Sequence, residues 1–248
     1  MIPIKSKNEI QKIRKAGQLV VKTLEYLKDK VKPGVTTREI DIESEKFIKK
    51  CGAKAAFFGY RGYPAHICIS INEEIVHGIP GGRMLRDGDI VGLDFGVELE
   101  GYFGDAAITV PVGEIDKESQ RLIDVTREAL CKAIEVARKG NYLSDISHAV
   151  QQHVEKNGFS VVREFVGHGI GAKLHEEPQI PNYGTPGNGV KLEPGMVLAI
   201  EPMVNAGIWK VEILEDGWTA VTKDRKLSAH FEHTVCITED DAEILTAL

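Results

Sequence analysis

Two aspartates on one predicted hairpin are the first residues whose spacing suggests chemistry. Residues 89–110 are rich in β-forming residues on both sides of a loop near residues 99–100. A turn centred in that loop would place Asp94 directly opposite Asp105, at a separation of roughly 5 Å. Two carboxylates about 4 Å apart repel by roughly 4 kcal/mol at an effective dielectric of 20. The pattern indicates a cation bound between them; the alternative is that one or both face solvent.

Three further stretches carry potential ligands or proton carriers. His168 is framed by glycines in VGHGIG (166–171), without the GxGxxG spacing of a dinucleotide-binding loop. Glu201 ends an apolar run, and Glu232 interrupts the β-like run AHFEHTV (229–235). A charged residue in such a place is rarely buried unless it is paired. Taken singly, a buried, hydrogen-bonded histidine explains His168 as well as a ligand does, and a solvent-facing glutamate in an alternating strand is the favoured interpretation of Glu232.

Taken together, these residues have the composition of a metal centre. Four carboxylates and one imidazole carry a charge of −4, which two divalent cations would balance; the set is Asp94, Asp105, His168, Glu201 and Glu232. Two metals about 3.5–4 Å apart, bridged by carboxylates and water, suit hydrolysis. Oxygen ligands with one nitrogen suit Mn, Fe, Co or Zn. The residues predict a dinuclear hydrolase and leave its substrate open.

Helices with clear start signals must position this set. The segments SKNE (6–9) and TTRE (36–39) are capping boxes, and each precedes an amphipathic pattern. Residues 118–138 have a third helical pattern. We expect Ser144 to cap a fourth helix that runs to Gly158.

The second half of the chain resembles the first. A shift of 106 places Gly34 on Gly140, and a shift of 107 places residues 85–91 on 192–198 and Asp94 on Glu201. Two nearly equal offsets in chain order indicate a duplicated α/β unit. We therefore predict an α+β fold in a single catalytic domain (1–248), with an internal repeat of roughly 6–110 and 115–240. Its helices would cover a curved, mostly antiparallel sheet with approximate two-fold symmetry.

The overall composition is that of an ordinary globular protein. The 248 residues are 42% apolar and 27% charged, with a net charge of −6. This charge argues against non-specific DNA or RNA binding, which needs a basic face. No apolar run is long enough to span a membrane, and no signal peptide is visible. Four scattered cysteines without CxxC spacing indicate reduced thiols in a cytoplasmic protein.

The motifs, in order, resemble those of the type I methionine aminopeptidases, which have the pita-bread fold shared with creatinase, prolidase and aminopeptidase P. The matching segments span nearly the whole chain: NEEIVHGIP (72–80), DIVGLDFG (89–96), GDAAIT (104–109), VGHGIG (166–171), LHEEPQIPNYG (174–184), MVLAIEPM (196–203) and FEHT (231–234). The chain has no long N-terminal extension and no room for the helical insertion of the type II enzymes. Both features favour the bacterial-type form.

The resemblance implies a role for each matching position. Asp94 would chelate one metal, Asp105 and Glu232 would bridge both, and His168 and Glu201 would complete the shell of the other. Glu201 would also shuttle a proton of the attacking water.

Two histidines outside this ligand set would act on the peptide. His77 would contact the scissile amide, and His175 would donate a hydrogen bond to the carbonyl or the developing oxyanion. Without the resemblance, His77 would be an ordinary loop histidine.

The resemblance also implies an apolar pocket for the methionine side chain. Its positions here are Phe57, Tyr60, Tyr63, Cys68, Leu174 and Trp218. Compared with the enterobacterial-type pattern, Phe57 stands where a cysteine is usual and Leu174 where a phenylalanine is usual. His230 stands where some members carry glutamine. Both pocket replacements are apolar, so we expect methionine to fit.

These features predict a monomeric cytoplasmic enzyme that removes the initiator methionine from nascent polypeptides, which it could meet at the ribosome, when the second residue is small. Its partners would include neither DNA nor membranes. An aminopeptidase P or a prolidase is the nearest alternative, although those enzymes usually carry an additional N-terminal domain. A non-enzymatic binding protein of the same fold is a second alternative, but such relatives typically lose metal ligands, and all five are present here.

Overall fold

The computed structural model describes residues 2–247, which form long helices and many short strands. The helices are α1 (Lys7–Lys28), α2 (Thr37–Lys50), α3 (Lys117–Val136) and α4 (Leu143–Lys156). The strands are β1 (Lys54–Ala55), β2 (Cys68–Ile71), β3 (Glu74–Val76), β4 (Ile90–Leu99), β5 (Tyr102–Pro111), β6 (Ser160–Val161), β7 (Gly167–Gly169), β8 (Glu176–Ile180), β9 (Val197–Ile200), β10 (Met203–Asn205), β11 (Val211–Ile213), β12 (Ala220–Thr222), β13 (Ser228–His230), β14 (Glu232–Cys236) and β15 (Glu243–Ile244). The predicted α+β class is confirmed.

Both predicted capping boxes start the first two helices. The Glu9 carboxylate accepts the Ser6 backbone N–H at 2.8 Å, and the Ser6 hydroxyl accepts the Glu9 N–H at 3.4 Å. Thr36 and Glu39 repeat the arrangement at the start of α2. Each box satisfies two backbone donors that have no partner inside the helix.

The fourth helix begins two residues earlier than predicted. Ser144 was expected to be its cap, but the helix begins at Leu143, and the Asp145 carboxylate accepts the Tyr142 N–H at 2.7 Å. The Ser144 hydroxyl instead donates to the carbonyl of Asn188 at 2.7 Å. The cap prediction was wrong because a tertiary partner takes the hydroxyl and a nearby carboxylate satisfies the helix start.

Strands β4 and β5 form the predicted hairpin, but its turn lies one residue further along the chain. Leu99 pairs with Tyr102, so Glu100 and Gly101 make the turn. Their φ values of 52° and 77° are both positive, as a two-residue turn of type I′ requires. The glycine in second place is the residue that suits this conformation, and it sets the register.

This register changes how the two aspartates face each other. Asp94 pairs with Ala107, and Asp105 pairs with Gly96, so the predicted direct opposition of Asp94 and Asp105 is wrong. Side chains alternate between faces with a period of two, and the shift moves the pairing by two residues. The aspartates therefore remain on the same face as diagonal neighbours.

A nine-stranded sheet joins the two halves of the chain. Its order is β1-β4-β5-β14-β9-β7-β8, with β2 paired to β4 and β15 paired to β14, and every pairing is antiparallel. Strand β14 lies between β5 and β9 and pairs Glu232 with Ala107 and His233 with Ile200. Strands far apart in sequence thereby carry their polar residues to the middle of one sheet.

Helices cover this sheet and bury its other side chains. Helix α1 packs on β4 and β5 so closely that a Cβ on Gly104 would lie 2.5 Å from the backbone nitrogen of Gly17. Helices α3 and α4 pack against each other over the second half. The order of two helices followed by strands occurs in both halves; the duplication and the single-domain boundary stay predictions. Within residues 2–247, no helix has the length and apolar character of a membrane span.

Candidate active site

One cavity of about 240 Å³ brings together every residue that was predicted to bind metal or substrate. Its lining includes both groups: Phe57, Tyr60, Tyr63, Cys68, His77, Asp94, Asp105, His168, Leu174, His175, Glu201, Trp218 and Glu232. The cavity therefore has a polar end with carboxylates and an apolar wall with aromatic rings. Sequence reasoning missed further lining residues, namely Arg61, Val76, Glu164, Phe165 and Val166.

The polar end contains a compact, buried group of potential metal ligands. One ligand atom from each of Asp105, His168 and Glu232 lies within 4.8 Å of the others, and the three residues are 3%, 7% and 3% exposed. Glu201 directly follows β9 and places its Oε1 atom 3.7 Å from Nε2 of His168. Asp94 lines the same cavity from β4. The solvent-facing alternative for Glu232 is therefore wrong.

Burial makes charge on these carboxylates costly. Burial, followed by repulsion from the neighbouring carboxylates, raises the pKa values of Asp105 and Glu232 well above their usual range. Burial also raises the pKa of Asp94 to about 7, with a further increase from Glu201, and it raises the pKa of Glu201 to about 7. The pKa values of these neighbouring acids are all raised mainly by burial, and this marks the cluster as a functional site.

Unpartnered oxygen atoms show what the cluster can hold. Oδ1 of Asp94, Oδ1 of Asp105 and Oε1 of Glu232 are buried and accept no hydrogen bond from the described residues. Buried polar atoms without partners are rare and costly. A divalent cation would supply the missing partner and offset the concentrated negative charge. The donor set thus fits a metal centre of carboxylate oxygens and one imidazole nitrogen.

His77 and His175 flank the metal-ligand cluster as neutral side chains. His77 follows β3 with a φ of 61°, and its ring packs edge-on against Phe165 at 5.3 Å. Nδ1 of His175 lies 2.8 Å from the Tyr60 hydroxyl, and its ring centre lies 4.2 Å from that of His168. Burial lowers the pKa values of His77 and His175 to about 4 and about 3. Both imidazoles are therefore uncharged near neutral pH and can donate or accept one hydrogen bond.

The apolar wall forms a closed pocket beside the carboxylates. Phe57, Tyr63 and Leu174 are 8%, 3% and 2% exposed. The Tyr63 hydroxyl donates to the carbonyl of Gly78 at 2.8 Å, and its ring meets Trp218 edge-on at 5.1 Å. This wall suits a linear apolar side chain.

Phe57, one of the two unusual residues of this wall, has space because of a glycine on β4. A Cβ on Gly96 would lie 2.8 Å from Cε1 of Phe57. The phenylalanine ring therefore occupies space that a side chain at position 96 would fill.

His230 is a buried residue near the site to which sequence reasoning gave no role. It is 3% exposed, and its Nε2 atom lies 3.5 Å from Oε2 of Glu201 without a hydrogen bond from any described group. Strand β13 ends at His230, two positions before Glu232. Side chains two positions apart in an extended segment point to the same side, so the spacing between His230 and Glu232 could have identified this histidine.

The fold and the carboxylate centre are those of a metallopeptidase. Residues 11–239 match metallopeptidase family M24, and the chain belongs to this family. Over 248 residues it is 55% identical to a methionine aminopeptidase of Clostridium perfringens, with 100% of both chains covered. The crystal structure of a methionine aminopeptidase from Thermotoga maritima superposes with a TM-score of 0.99 at 51% identity and covers 100% of both chains.

A prolidase shares the fold at greater distance. The prolidase from Pyrococcus horikoshii has a TM-score of 0.81 and 24% identity; the match covers 98% of this chain and 63% of that one. At this identity the likeness concerns the fold alone. The predicted membership of the pita-bread family, with the methionine aminopeptidases as relatives, is confirmed.

Proposed function

We propose that the chain is a metal-dependent aminopeptidase that releases an N-terminal methionine when the second residue is small. The observation that carries this proposal is the single cavity in which a buried carboxylate cluster adjoins an apolar pocket. The cluster accounts for hydrolysis, and the pocket accounts for a linear apolar first residue. The 55% identity with a methionine aminopeptidase supports the same substrate.

Five residues would hold the divalent ions: Asp94, Asp105, His168, Glu201 and Glu232. The unpartnered oxygens of Asp94, Asp105 and Glu232 support this assignment. When bound, divalent metals supply an activated water and polarise the scissile carbonyl. The set is compatible with Co, Mn, Fe or Zn.

Glu201 and the two neutral histidines perform the remaining steps. The Glu201 carboxylate lies at the edge of the metal-ligand cluster and would take the proton of the attacking water and pass it to the leaving amine. Where the Tyr60 hydroxyl donates to Nδ1 of His175, Nε2 carries the ring hydrogen and can donate to the developing oxyanion. His77 would bind the scissile amide from the opposite wall.

The apolar wall selects the first residue of the peptide, and the cavity beyond this wall limits the size of the second. Methionine would lie against the buried side chains of Phe57, Tyr63 and Leu174, a mainly apolar wall that offers a charged side chain no ionic partner. Cys68, Trp218 and the ring of Tyr60 complete this pocket. A large second side chain would be rejected by steric exclusion.

The cellular setting belongs to the same proposal. We place the enzyme in the cytoplasm as a monomer that acts on nascent polypeptides, at the ribosome or after release, without DNA or membrane partners. The four cysteines are unpaired in the structure, which supports a reducing compartment.

The deciding experiment compares three peptides on metal-stripped protein to which single divalent metals are added back. We expect methionine to be released from Met-Ala-Ser, only with metal, while Met-Leu-Ser and Ala-Pro-Ser remain intact. Release of alanine from Ala-Pro-Ser would move the chain to the aminopeptidase P type. No cleavage with any metal would favour a binding protein. A Glu212→Gln variant, with its change on an exposed strand, is the matched control.

A further inference from the structure

A buried ion pair ties the N-terminal segment to the turn that carries His175. Nζ of Lys5 lies 2.5 Å from Oε2 of Glu176, and the two side chains are 6% and 9% exposed. In every other lysine or arginine ion pair within residues 2–247, one partner is at least 43% exposed. Surface pairs contribute little, whereas a desolvated pair leaves a costly isolated charge when one partner is removed.

The turn is built around the Lys5 ammonium. The second oxygen of Glu176 accepts the backbone N–H of Lys173 at 3.0 Å and thereby closes residues 173–176. A side chain on Gly171 would collide with Nζ and Cε of Lys5. The backbone at Gly171 therefore lies directly against the end of the Lys5 side chain, and Glu176 binds the ammonium group of the same lysine.

The other end of Lys5 is anchored on the sheet that carries the metal-ligand cluster. The Lys5 backbone N–H donates to the carbonyl of Gly195 at 2.8 Å, and the Gly195 N–H donates to Ile237 at 2.9 Å. Gly195 lies two residues before β9, which leads to Glu201, and Ile237 directly follows β14, which begins at Glu232. Lys5 thus connects the turn to the strands that hold two of the carboxylates.

The residues on this turn face the site. Leu174 is 2% exposed and lines the cavity, and His175 lies between the Tyr60 hydroxyl and the ring of His168. We propose that Lys5 and Glu176 are positioning residues, whose ion pair sets the place of His175 relative to the scissile carbonyl. The catalytic part of this inference rests on the proposed function, because it uses the role given there to His175.

Removing either charge should open the turn, because the remaining charge must reach water. In Lys5→Met the Glu176 carboxylate is left without its cation, and in Glu176→Gln the Lys5 ammonium is left without its anion. Misplacement by about 1 Å can cost about 100-fold in rate. We expect each single variant to lower kcat by about 10- to 100-fold, because His175 moves, and to change KM by a smaller factor through Leu174.

The double variant tests whether the loss of kcat in the single variants comes from an unpaired buried charge or from the missing side chain itself. Lys5→Met with Glu176→Gln leaves no buried charge, and glutamine still offers an oxygen to the Lys173 N–H. Replacing both members of a buried pair is often neutral, unlike the removal of one. We therefore expect the double variant to recover most of the kcat that each single variant loses.

The experiment measures steady-state kinetics on Met-Ala-Ser and backbone hydrogen exchange, both at 25 °C and with saturating metal. Exchange at residues 171–177 should accelerate in the single variants and return towards the wild-type rate in the double variant. The control is Arg14→Met, which breaks the Arg14–Glu243 pair on α1 and should leave residues 171–177 unchanged.

Three outcomes decide the proposal. The proposal would be overturned if the single variants kept a normal kcat and slow hydrogen exchange at the amides of residues 171–177. Faster exchange spread over the whole protein would also overturn it, because the pair would then only stabilise the fold. If the wild type releases no methionine, the proposed function fails, but the exchange pattern still tests whether the pair holds the turn.

Discussion

Stripping the metals should make the protein lose stability as the pH rises above 7.5. In the metal-free protein, burial and mutual repulsion raise the pKa values of Asp105 and Glu232 well above their usual range. The folded state then keeps two protons that the unfolded chain has already released. Unfolding free energy falls with pH wherever the folded state binds more protons, so these two groups work against stability in alkali.

The magnitude follows from the proton count. Each additional proton held by the folded state lowers the free energy of unfolding by about 1.4 kcal/mol per pH unit. Above pH 7.5, Asp105 and Glu232 together lower the free energy of unfolding by roughly 3 kcal/mol per pH unit for as long as both stay protonated in the folded state. Asp94 and Glu201, with pKa values of about 7, add less because the folded state has released most of their protons in this range.

The two histidines beside the carboxylates have the opposite sign and act at lower pH. Burial lowers the pKa values of His77 and His175, so their contribution is lost as the pH falls below the unfolded value of about 6.5. Above pH 7.5 this contribution is nearly complete and adds little slope. Burial also raises the pKa values of Cys68 and Cys236, so these thiols add to the fall, and the difference between wild type and Glu232→Gln isolates the carboxylate.

Urea unfolding with a chelator present measures this slope directly. Glu232→Gln should reduce the slope by about 1.4 kcal/mol per pH unit, because it removes one of the retained protons. Glu212→Gln, on exposed β11, should leave the slope unchanged. Saturating metal should remove the fall, since metals bind carboxylates in their deprotonated form. A flat profile in the chelated wild type, or the same slope in Glu232→Gln, would refute the reasoning.

Three further changes test single residues. In Glu201→Gln we expect kcat to fall by at least about 100-fold, while added metal still raises the melting temperature; near-normal turnover would exclude a proton-carrying role. His175→Ala should lower kcat by about 10²–10³ because an oxyanion donor is lost, and an unchanged kcat would leave this histidine a structural role only. Gly104→Ala should destabilise the fold by about 1–3 kcal/mol in urea, because the new methyl would press on Gly17. Gly81→Ala, which meets one atom at 3.9 Å, is its control, and equal stability of the two variants would contradict the packing argument.

Local patterns in the sequence were sufficient where the interaction is itself local. The capping boxes at Ser6 and Thr36 form as predicted, because each joins residues only three positions apart. Asp94 and Asp105 share a face because side chains alternate with a period of two, and moving the turn by one residue shifts the pairing by an even number of residues. The register itself was misjudged, since it depends on the positive φ values that the Glu100–Gly101 turn adopts.

Family motifs identified the candidate site more completely than physical reasoning from spacing. The charge that two divalent ions would balance led us to group Asp94, Asp105, His168, Glu201 and Glu232. No pattern of neighbouring residues placed the pocket residues beside them. The resemblance did so, and the structure brings all of them to one cavity. The assignment of individual roles stays a prediction that the variants above can test.

The sequence alone determined the chain's class of fold, its family and the types of side chain available for chemistry. Only the tertiary structure decided that His230 is buried 3.5 Å from Glu201 and that Lys5 lies against Glu176. The physical reason is that these contacts join segments separated by up to 171 positions, and their distances depend on how strands and turns pack. Burial, which sets both the pKa values and the cost of an unpaired charge, is a property of that packing and has no signature in neighbouring residues.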